Sequence, residues 1–455
     1  MRKSPARLRA ALTMILCAAL ATAACSVAPG ASGGGNDQPQ GSSTAVPKGD
    51  VTLMVWDQEV RGGQNAQIEQ LNQEFMDEYP NVTIKRVAKS FTDLNKTLKL
   101  AVSDDEPPDV VQANQGRPVM GALVTAGLLA PLDGYANAYG WADRYSQTLL
   151  DLNSFSPDGA TFGSGSLYGL SQVGEIVGVY YNSAKLDELG LEAPQTFDDF
   201  EAALESAKEA GEVPIQFGNL DKWPGIHEFQ AVQNNSADKD YLRDFVFAQG
   251  DVSFSTDANV AAAEQLQSWV DAGYFTDGFN GVSYDDAWAN FADGEGVFLI
   301  TGTWLAADLE EQMGNDVGFF LMPPSQEGAD PVSLGGEGLP FAVTSESDEP
   351  ETAAAYIDFI TNEHATEVIT ETGGLPAPTG GSATPAGGVQ ADIFEAWEQL
   401  NSSDSIVPYI DYATPTFYDT ITASVQELTA DKAEPQEFVS TVDQDYTRFL
   451  EDLNQ

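Results

Sequence analysis

The sequence predicts an α/β protein made of two α/β units in series. Short apolar segments of strand length alternate with amphipathic segments of helix length. This order is typical of mainly parallel sheets that helices cover on both faces. The alternation runs from Val51 to about Ala126 and starts again after Leu167. Two such units in series indicate two lobes, although no sequence repeat is strong enough to indicate a duplication.

The first unit shows clear strand and helix periodicity. Ile68, Leu71 and Phe75 fall on one helical face, and Pro80 ends the helix that carries them. The expected elements, in order, are a strand over 51–56, a helix over 65–79, a strand over 82–87, a helix over 93–102, a strand over 109–111 and a helix over 118–126.

The second unit contains a well-defined helix start. Thr196 and Asp199 form a capping-box pattern at the beginning of a helix, and Gly211 lies where that helix should end. A Gly- and Pro-rich segment over 373–388 is expected to be a loop or a crossing between the lobes. The other expected elements are strands over 178–181, 214–217, 297–300 and 317–321, and helices over 259–272, 283–293, 392–400, 416–429 and 435–453.

The N-terminal 24 residues have the features of a secretory signal. Cationic side chains precede an apolar stretch over 10–24, and Ala23 and Ala24 stand directly before Cys25. Because the apolar stretch is short for a stable membrane span, we expect this segment to be removed and the protein to act outside the cytoplasm. Residues 25–49 follow as a linker rich in Gly, Ser and Pro, with a root-mean-square reach of roughly 25 Å.

The chain is strongly acidic. Its 455 residues include 20 Lys and Arg against 70 Asp and Glu, which gives a net charge of −50. Such a surface repels phosphate backbones, so nucleic acid is not expected as a partner. Because the acids are spread along the whole chain, we interpret them as a solvated surface that keeps the protein soluble, as in a salty habitat. Attraction of cationic ligands or metal ions is the alternative.

Eight segments between about residue 50 and residue 380 form a recognisable series. They are VTLMVWDQ, EFMDEYPNVTIKRV, EPPDVVQAN, GLLAPLDGYA, LYGLSQVGEIVGVYYNSAKLDELGLEAPQTFDDFEAAL, FADGEGVFLITGTWLAADL, GEGLPFAVTSES and EPETAAAYIDFIT. In order and spacing they resemble extracellular solute-binding proteins of bacterial ATP-driven importers, in the large sugar-binding family that includes maltose-binding proteins. The cut before Cys25 resembles a bacterial lipoprotein signal, in which this cysteine receives the lipid; an ordinary secretory signal cut nearby is the alternative.

The resemblance implies the type II two-lobe fold of periplasmic binding proteins, with a ligand cleft between the lobes. It implies that a mono- or oligosaccharide closes the lobes and is delivered to the permease of an importer. The protein is then expected to be a monomer, anchored to the outer face of the membrane by lipid on Cys25. Neither a cofactor nor a metal ion is expected. Lobe 1 is expected over 50–169 plus 338–373, lobe 2 over 170–337 plus 374–455, and crossings near 168–171, 334–339 and 373–376.

Candidate ligand-binding residues follow the predicted strands and crossings. In open α/β sheets, ligands bind outside the carboxyl ends of the strands. A sugar offers apolar faces to flat aromatic rings, and a rim of hydroxyls to Asp, Glu, Asn and Gln. The candidates are Trp56, Asp57, Gln58, Gln112, Asn114, Gln115, Gln172, Glu175, Asn219, Trp223, Thr303, Trp304, Gly336 and Glu337.

Some of these positions have a structural alternative. Trp56 ends a buried strand, so core packing is as good an interpretation as ligand contact. Asp57 and Glu337 are interpreted equally well as solvated surface acids. His227 is expected at the surface or as a helix cap.

Two other functions compete with capture of a sugar. A secreted glycosidase would use paired carboxylates, but a chain with 70 Asp and Glu always contains suggestive pairs. The mature chain has only His227 and His364, and the sequence contains no G-x-S-x-G, no H-E-x-x-H and no phosphate-binding glycine loop. We therefore predict a binding protein and not an enzyme. The other alternative is a small polar solute such as a quaternary ammonium compound, held in an aromatic cage of Trp56, Trp223 and Trp304.

Overall fold

The structure is a computed structural model that describes residues 42–379 and 384–453. Gly41–Gln455 form one compact unit. The predicted signal, Cys25 and most of the predicted linker lie outside the described residues, as does part of the 373–388 segment. The lobe boundaries drawn from the sequence stay a prediction.

The strands are short and lie mostly in two sheets. The predicted strands of the first unit are confirmed to within one residue at either end, because their apolar runs are bounded by polar or turn-forming residues. In chain order the strands are β1 (Val51–Asp57), β2 (Val82–Ala88), β3 (Val110–Gln112), β4 (Ser154–Phe155), β5 (Ser166–Leu167), β6 (Gly174–Asn182), β7 (Phe298–Gly302), β8 (Val317–Phe320), β9 (Ser333–Glu337), β10 (Phe341–Val343) and β11 (Ile406–Val407).

Helices cover both sheets and supply most of the chain that connects the strands. In chain order they are α1 (Gly62–Glu78), α2 (Phe91–Ala101), α3 (Ala122–Thr125), α4 (Asp133–Tyr139), α5 (Gln147–Leu152), α6 (Ser183–Leu189), α7 (Phe197–Ala210), α8 (Pro224–Ser236), α9 (Lys239–Phe247), α10 (Asp257–Ala272), α11 (Tyr284–Ala292), α12 (Ala306–Met313), α13 (Pro350–Phe359), α14 (Glu363–Glu371), α15 (Val389–Ser402), α16 (Phe417–Leu428) and α17 (Pro435–Leu453).

The first sheet is mainly parallel, as predicted. Its strand order is β10-β3-β1-β2, in which β1 runs parallel to β2 and β3, and β10 runs antiparallel to β3. Alternate residues of β1, among them Leu53 and Val55, are fully buried. Leu71 and Phe75 of α1 are also fully buried in the same core cluster. Parallel β1 and β3 therefore end at the same edge of this sheet.

The second sheet is built differently from the prediction. Its long central strand β6 runs antiparallel to β7, β8 and β9, while β11 runs parallel to β9. The mainly parallel arrangement predicted from the alternation is therefore wrong for this sheet. Periodicity identifies a strand but does not fix its direction, since connections longer than a hairpin turn permit either orientation.

The segment predicted as a strand over 214–217 is reduced to isolated bridges at Ile215, which pairs with Phe275 and Phe298. Pro214 has no N–H to donate, so it cannot extend the ladder in that direction. The helix predicted over 118–126 is divided into a π-helical turn, Arg117–Gly121, and the short α3.

The predicted capping box at the start of α7 is confirmed. The backbone N–H of Asp199 donates to the Thr196 hydroxyl at 3.1 Å, and the Thr196 N–H donates to the Asp199 carboxylate at 3.1 Å. Gly211 ends the helix with a φ of 83°, which a glycine adopts without steric cost.

The chain passes from one sheet to the other after β9. β9 belongs to the second sheet and β10 to the first, so Gly338–Pro340 make the connection. Just before this point Gly335 and Gly336 have φ values of 142° and 132°, which side chains beyond glycine rarely adopt. Leu170 bridges to Phe341 of the first sheet shortly before β6 begins in the second.

Candidate functional site

The ends of strands from both sheets surround one cavity, which we call the main cavity. Its volume is about 650 Å³, counting the part that opens to solvent, which is within the usual range for small-molecule sites. Gln58 and Asn114 follow the parallel strands β1 and β3, as expected for the carboxyl ends of such strands. The lining residues are Gln58, Arg61, Gln64, Phe91, Asn114, Glu175, Trp223, Ile226, His227, Trp304, Leu339, Tyr409, Asp411, Tyr412 and Tyr418.

The antiparallel direction of β6 explains why Glu175 faces this cavity. Val177 of β6 pairs with Gly302 at the end of β7, so the start of β6 and the end of β7 share one edge. Glu175 and Trp304 therefore line the same space. On the first sheet, β10 runs antiparallel to β3, and Leu339 just before β10 lies near Asn114 for the same reason.

Aromatic rings form a continuous side of the main cavity, which we call the aromatic wall: Trp223, His227, Trp304, Tyr409 and Tyr412. The centroid of the His227 ring lies 5.3 Å from Trp223, 5.6 Å from Trp304 and 5.6 Å from Tyr409. The Tyr409 and Tyr412 rings are 5.5 Å apart. Such a wall offers a large apolar surface together with hydroxyl and imidazole edges.

Trp304 is held in position by its neighbours. Its Nε1–H donates to the Tyr284 hydroxyl at 2.6 Å, and that hydroxyl is 2.9 Å from the hydroxyl of Thr301. The indole ring covers Gly302, where a Cβ atom would overlap it. On the other side of the wall, the chain turns into α8 through Lys222, whose φ is 69°. These contacts fix two indole rings on the same side of the cavity.

Hydrogen-bonding groups also line the main cavity, next to the aromatic wall. Gln58, Gln64 and Asn114 contribute amides, and Asp411 a carboxylate. The Tyr412 hydroxyl lies 3.3 Å from the side-chain oxygen of Asn114, to which it donates. Burial raises the pKa of Asp411 to about 7. The cavity thus combines flat rings with groups that bind hydroxyls.

Glu175 is the most unusual polar group of the main cavity. Its side chain is buried, with 6% of its surface exposed. Burial first, and then repulsion from Glu59, raise its pKa to about 8, while Arg61 opposes this shift. Burial therefore favours the protonated form of this carboxyl group at neutral pH.

A buried polar layer lies directly behind the cavity. Gln112 donates to the Glu59 carboxylate at 2.6 Å and accepts from the backbone N–H of Gln58 at 2.8 Å. Gln115 donates to the Gly338 carbonyl oxygen at 2.8 Å. Burial raises the pKa of Glu59 to about 7. The layer fixes the backbone that carries Gln58 and Asn114, whose amides line the cavity.

Glu337 belongs to the same layer, at the end of β9. Asn153 donates a hydrogen bond to one carboxylate oxygen, and the other oxygen has no partner among the described residues. Burial, outweighing the hydrogen bond from Asn153, raises the pKa of Glu337 to about 8. Gly336 lies beside it within β9.

Other sequence-predicted candidates lie outside the main cavity. The Trp56 ring is half-buried below the Lys89 ammonium, 4.1 Å from its centroid. Asp57 is fully buried and pairs with Arg86 at 2.7 Å. The three-tryptophan cage considered above is not formed around this cavity, because Trp56 is not one of the lining residues.

The three remaining candidates also lie outside the lining of the main cavity. Asn219 is fully buried, accepts from the Gly225 N–H at 3.1 Å and so supports the start of α8. Gln172 is fully buried, and neither atom of its amide has a partner among the described residues. Thr303 lines a second, smaller cavity that shares Gln64, Glu175 and Trp304 with the main one.

Ten of the fifteen described lining residues were not among the sequence-predicted candidates, and half of these ten carry aromatic rings: Phe91, His227, Tyr409, Tyr412 and Tyr418. His227 was expected at the surface or as a cap, but it is 8% exposed and lines the cavity; the expectation was wrong because α8 is buried on nearly all sides. Burial lowers the pKa of His227 to about 3, so the ring is neutral. The run PYIDY, which carries Tyr409, Asp411 and Tyr412, was the available signal, since it concentrates aromatics around one acid in a short segment.

Contacts across the mouth of the main cavity join elements of the two sheets. Arg61, just before α1, pairs with Asp285 of α11 at 3.3 Å. The backbone N–H of Gly62 donates to the Asp308 carboxylate of α12 at 3.3 Å. No side chain near the start of α1 caps that helix, so the acceptor comes from α12. These contacts hold the two sides of the mouth together.

The described part of the chain contains neither a metal-binding cluster nor a membrane-spanning helix. Within residues 42–379 and 384–453, no group of three or more His, Cys, Asp and Glu side chains is placed to hold a metal ion. Over the same ranges, none of the helices has both the length and the apolar character that a membrane span needs.

Known proteins resemble this chain over most of its length. Residues 70–396 match the family described as bacterial extracellular solute-binding protein. The multiple sugar-binding protein of Streptococcus mutans is 23% identical over 326 residues, which cover 70% of this chain and 73% of that protein. The melibiose/raffinose/stachyose-binding protein MelE of Bacillus subtilis is 25% identical over 302 residues, covering 60% and 64%.

The fold is also that of solved structures. A chitin oligosaccharide binding protein superposes with a TM-score of 0.76 at 23% identity, over 89% of this chain and all of the other. RafE in complex with raffinose superposes with a TM-score of 0.69 at 19% identity, over 88% and 99%. The two-lobe α/β fold predicted from the sequence is thereby confirmed.

Proposed function

Because the chain belongs to the family of bacterial extracellular solute-binding proteins, we propose that it captures a carbohydrate in the main cavity and delivers it to the permease of an ATP-driven importer. Members of this family act outside the cytoplasm as binding proteins. The observation that carries the proposal is the pairing of the aromatic wall with amides and carboxylates in the same cavity.

The cavity has the chemistry that a sugar ring requires. The apolar C–H faces of a pyranose pack against flat indole and phenol rings, which Trp223, Trp304 and Tyr409 supply. Its hydroxyls need both donors and acceptors, which Gln58 and Asn114 supply. A ligand without hydroxyls would leave these buried groups unpaired, and this penalty supports selectivity for carbohydrate.

The relatives support the same ligand class. Their names refer to multiple sugars, to melibiose, raffinose and stachyose, and to chitin oligosaccharide. The main cavity, at about 650 Å³ with its open part, suits a mono- or short oligosaccharide.

Closure of the two sides around the sugar completes the proposed mechanism. A ligand that contacts both sides favours the closed arrangement over an open one by its difference in affinity. The ring contact between Phe91 and Trp223, with centroids 6.1 Å apart, and the Arg61–Asp285 pair link the two sides at the mouth. The closed form would then dock on the permease.

We propose that the protein binds its sugar without cleaving it. A reducing-sugar assay on oligosaccharides with the purified protein is expected to detect no release of new reducing ends. Release that depends on Glu175 or Asp411 would instead assign a glycosidase.

The membrane attachment is proposed from the sequence, since Cys25 lies outside the described residues. Lipid on Cys25 would hold a monomeric protein at the outer face of the membrane through the linker. In the producing cell, Cys25→Ser is expected to move the protein from the membrane fraction to the medium. An unchanged membrane fraction would contradict the lipid anchor.

A thermal-shift assay with a panel of mono- and oligosaccharides tests the ligand class. A ligand at about 100 times its dissociation constant adds about 2.7 kcal/mol to the free energy of unfolding, so at least one sugar should raise the melting temperature. Glycine betaine serves as the comparison, because it would fill an aromatic cage without using the hydroxyl-binding groups. A rise with glycine betaine and with none of the sugars would overturn the carbohydrate assignment.

A further inference from the structure

The main cavity has an excess of acidic groups. Glu175 and Asp411 line it, and Glu59 and Glu337 lie directly behind it. Arg61 is the one cationic side chain among the described residues of the lining. The cavity therefore contains more potential negative charge than its own residues can neutralise.

Arg61 is already engaged at the mouth. Its guanidinium pairs with Asp285 at 3.3 Å and lies over the Tyr284 ring, 5.4 Å from the centroid. It approaches Glu175 closely enough to stabilise the carboxylate electrostatically, but forms no ion pair with it in the described structure. The neutral His227 ring adds no positive charge on the other side.

Glu175 is buried, with 6% of its surface exposed. Its carboxyl group has no hydrogen-bond partner in the part of the chain that the structure describes. The Tyr409 hydroxyl, in a residue that is 7% exposed, is also without a partner there. Both residues line the main cavity. Two buried polar groups are thus available to a bound molecule.

An unpaired carboxylate in a buried site is costly and is neutralised either by a proton or by a cation. Without a cation the proton fulfils this role, because burial and the nearby Glu59 disfavour ionisation of Glu175. The charged and titratable groups that act on Glu175, or on which it acts, are Glu59, Arg61, Glu337, Tyr409 and Tyr412. Of these groups only Arg61 is positive.

We propose, on the basis of the proposed function, that the captured carbohydrate is an amino sugar whose protonated amine lies against the Glu175 carboxylate and the aromatic wall. The ammonium donates to Glu175 and to the Tyr409 hydroxyl. The faces of Trp304 and Tyr409 attract the cation through their ring quadrupoles. The remaining hydroxyls of the sugar bind the amides of Gln58 and Asn114.

When the amino sugar binds, its ammonium replaces the proton on the Glu175 carboxyl group. The amine enters with its proton, the Glu175 carboxyl group loses its own proton to solvent, and the carboxylate pairs with the ammonium. A neutral sugar has no charge to replace that proton, so it binds the carboxyl group in its protonated form. The two classes of ligand therefore differ in proton release as well as in affinity.

Titration calorimetry on the full chain with matched sugars tests the proposal. The pairs are glucosamine and glucose, galactosamine and galactose, and the glucosamine dimer chitobiose and its neutral counterpart cellobiose. N-acetylglucosamine, which has the same nitrogen without the charge, is a further comparison. Where the protein binds a matched pair, the amino sugar is expected to bind about tenfold more tightly than the neutral sugar.

Proton release is measured by repeating the titrations at about pH 6.5 in two buffers of different ionisation enthalpy. The amino sugar is expected to release about one proton per molecule bound, and the neutral sugar none. Glu175→Gln should abolish both the release and the preference for the amine. Glu228→Gln, which changes a buried carboxyl group outside the lining, should keep both, and the melting temperatures of both variants report whether they fold.

The outcomes separate this inference from the proposed function. Neutral sugars that bind as tightly as their amines, or amine binding unaffected by Glu175→Gln, would overturn the amino-sugar assignment and leave carbohydrate capture intact. Binding of choline or glycine betaine with no sugar bound would overturn both. A preference for the amine that disappears in Glu175→Gln supports both.

Discussion

Trp304 illustrates how single residues set up the main cavity. Gly302 leaves room for its indole ring, and the Tyr284 hydroxyl fixes its edge. A large ring in a defined position loses little freedom on binding, so it can contribute much of the binding energy.

Truncation of this ring is expected to weaken sugar binding. Trp304→Ala should cost about 2 kcal/mol, a roughly 30-fold rise in the dissociation constant. Titration calorimetry with any sugar that raises the melting temperature measures the change. Trp397→Ala is the matched control, because Trp397 is a half-buried indole of α15 outside the lining. Equal effects of the two substitutions would contradict the assignment of Trp304 to the ligand.

The buried carboxyl groups give the fold a distinctive pH dependence. Burial raises the pKa of Glu337 to about 8 and that of Glu59 to about 7, from an ordinary value of 4.5. Between about pH 4.5 and about pH 8, the folded state therefore binds more protons than the unfolded state. The resulting stabilisation is fully present below about pH 4.5 and is lost as the pH rises through about 8.

The melting temperature of the unliganded protein is accordingly expected to fall between about pH 5 and pH 8. Each of these carboxyl groups contributes up to about 1.4 kcal/mol per pH unit. Glu337→Gln should reduce the slope, whereas Glu395→Gln, at an exposed position of α15, should not. A melting temperature that rises over this range would show that these carboxyl groups ionise freely in the folded protein.

Among the elements, α1 and α12 make a close contact beside the main cavity. A Cβ atom on Gly63 of α1 would lie 2.5 Å from the Cβ of Ala307 and 2.6 Å from the Thr372 carbonyl oxygen. Glycine at this position therefore permits α1 to approach α12. The Asp308 carboxylate, which accepts from the Gly62 N–H, depends on the same approach.

Gly63→Ala is expected to hinder closure without unfolding the protein. Alanine favours a helix by about 1 kcal/mol over glycine, but its methyl group should keep α1 and α12 apart and weaken ligand binding by about tenfold. Calorimetry measures the affinity, and small-angle scattering with and without sugar measures the compaction. Gly281→Ala, where no atom lies within 4 Å of the added Cβ, is the control. Unchanged affinity and compaction would exclude this contact as a part of closure.

Elements with strong local signals were predictable from the sequence, and elements defined by their surroundings were not. The capping box of α7 and the periodicity of α1 depend on neighbouring residues alone. α8 carries many polar side chains, yet nearly all of its residues are buried, so its pattern gave no amphipathic signal. The direction of β6 could not be predicted from the sequence either, because it depends on which strands become its neighbours.

At the scale of the whole molecule, net charge is the dominant electrostatic property. A net charge of −50 makes the compact state repel itself. Salt screens such interactions over a Debye length of about 10 Å at 0.1 M. The melting temperature is therefore expected to rise as NaCl increases from about 0.02 M to about 0.5 M. Sucrose at equal osmolality controls for exclusion effects, and a melting temperature that NaCl leaves unchanged would contradict self-repulsion.

The sequence by itself determined the α/β fold class and the types of side chain available for a sugar, and it predicts an export signal. These properties follow from composition and local periodicity, which report which residues are buried and which turns are permitted. The sequence also identified Gln58, Asn114, Glu175, Trp223 and Trp304, which the structure brings to one cavity.

Only the tertiary structure decided which of the candidate residues meet. The Tyr412 hydroxyl reaches Asn114 across 298 positions of the chain, and Glu175 enters the cavity because β6 runs against its neighbours. Asp57 is instead paired with Arg86, and Trp56 with Lys89. The physical reason is that a binding cavity is made by packing distant segments together, and local patterns carry no information about that packing.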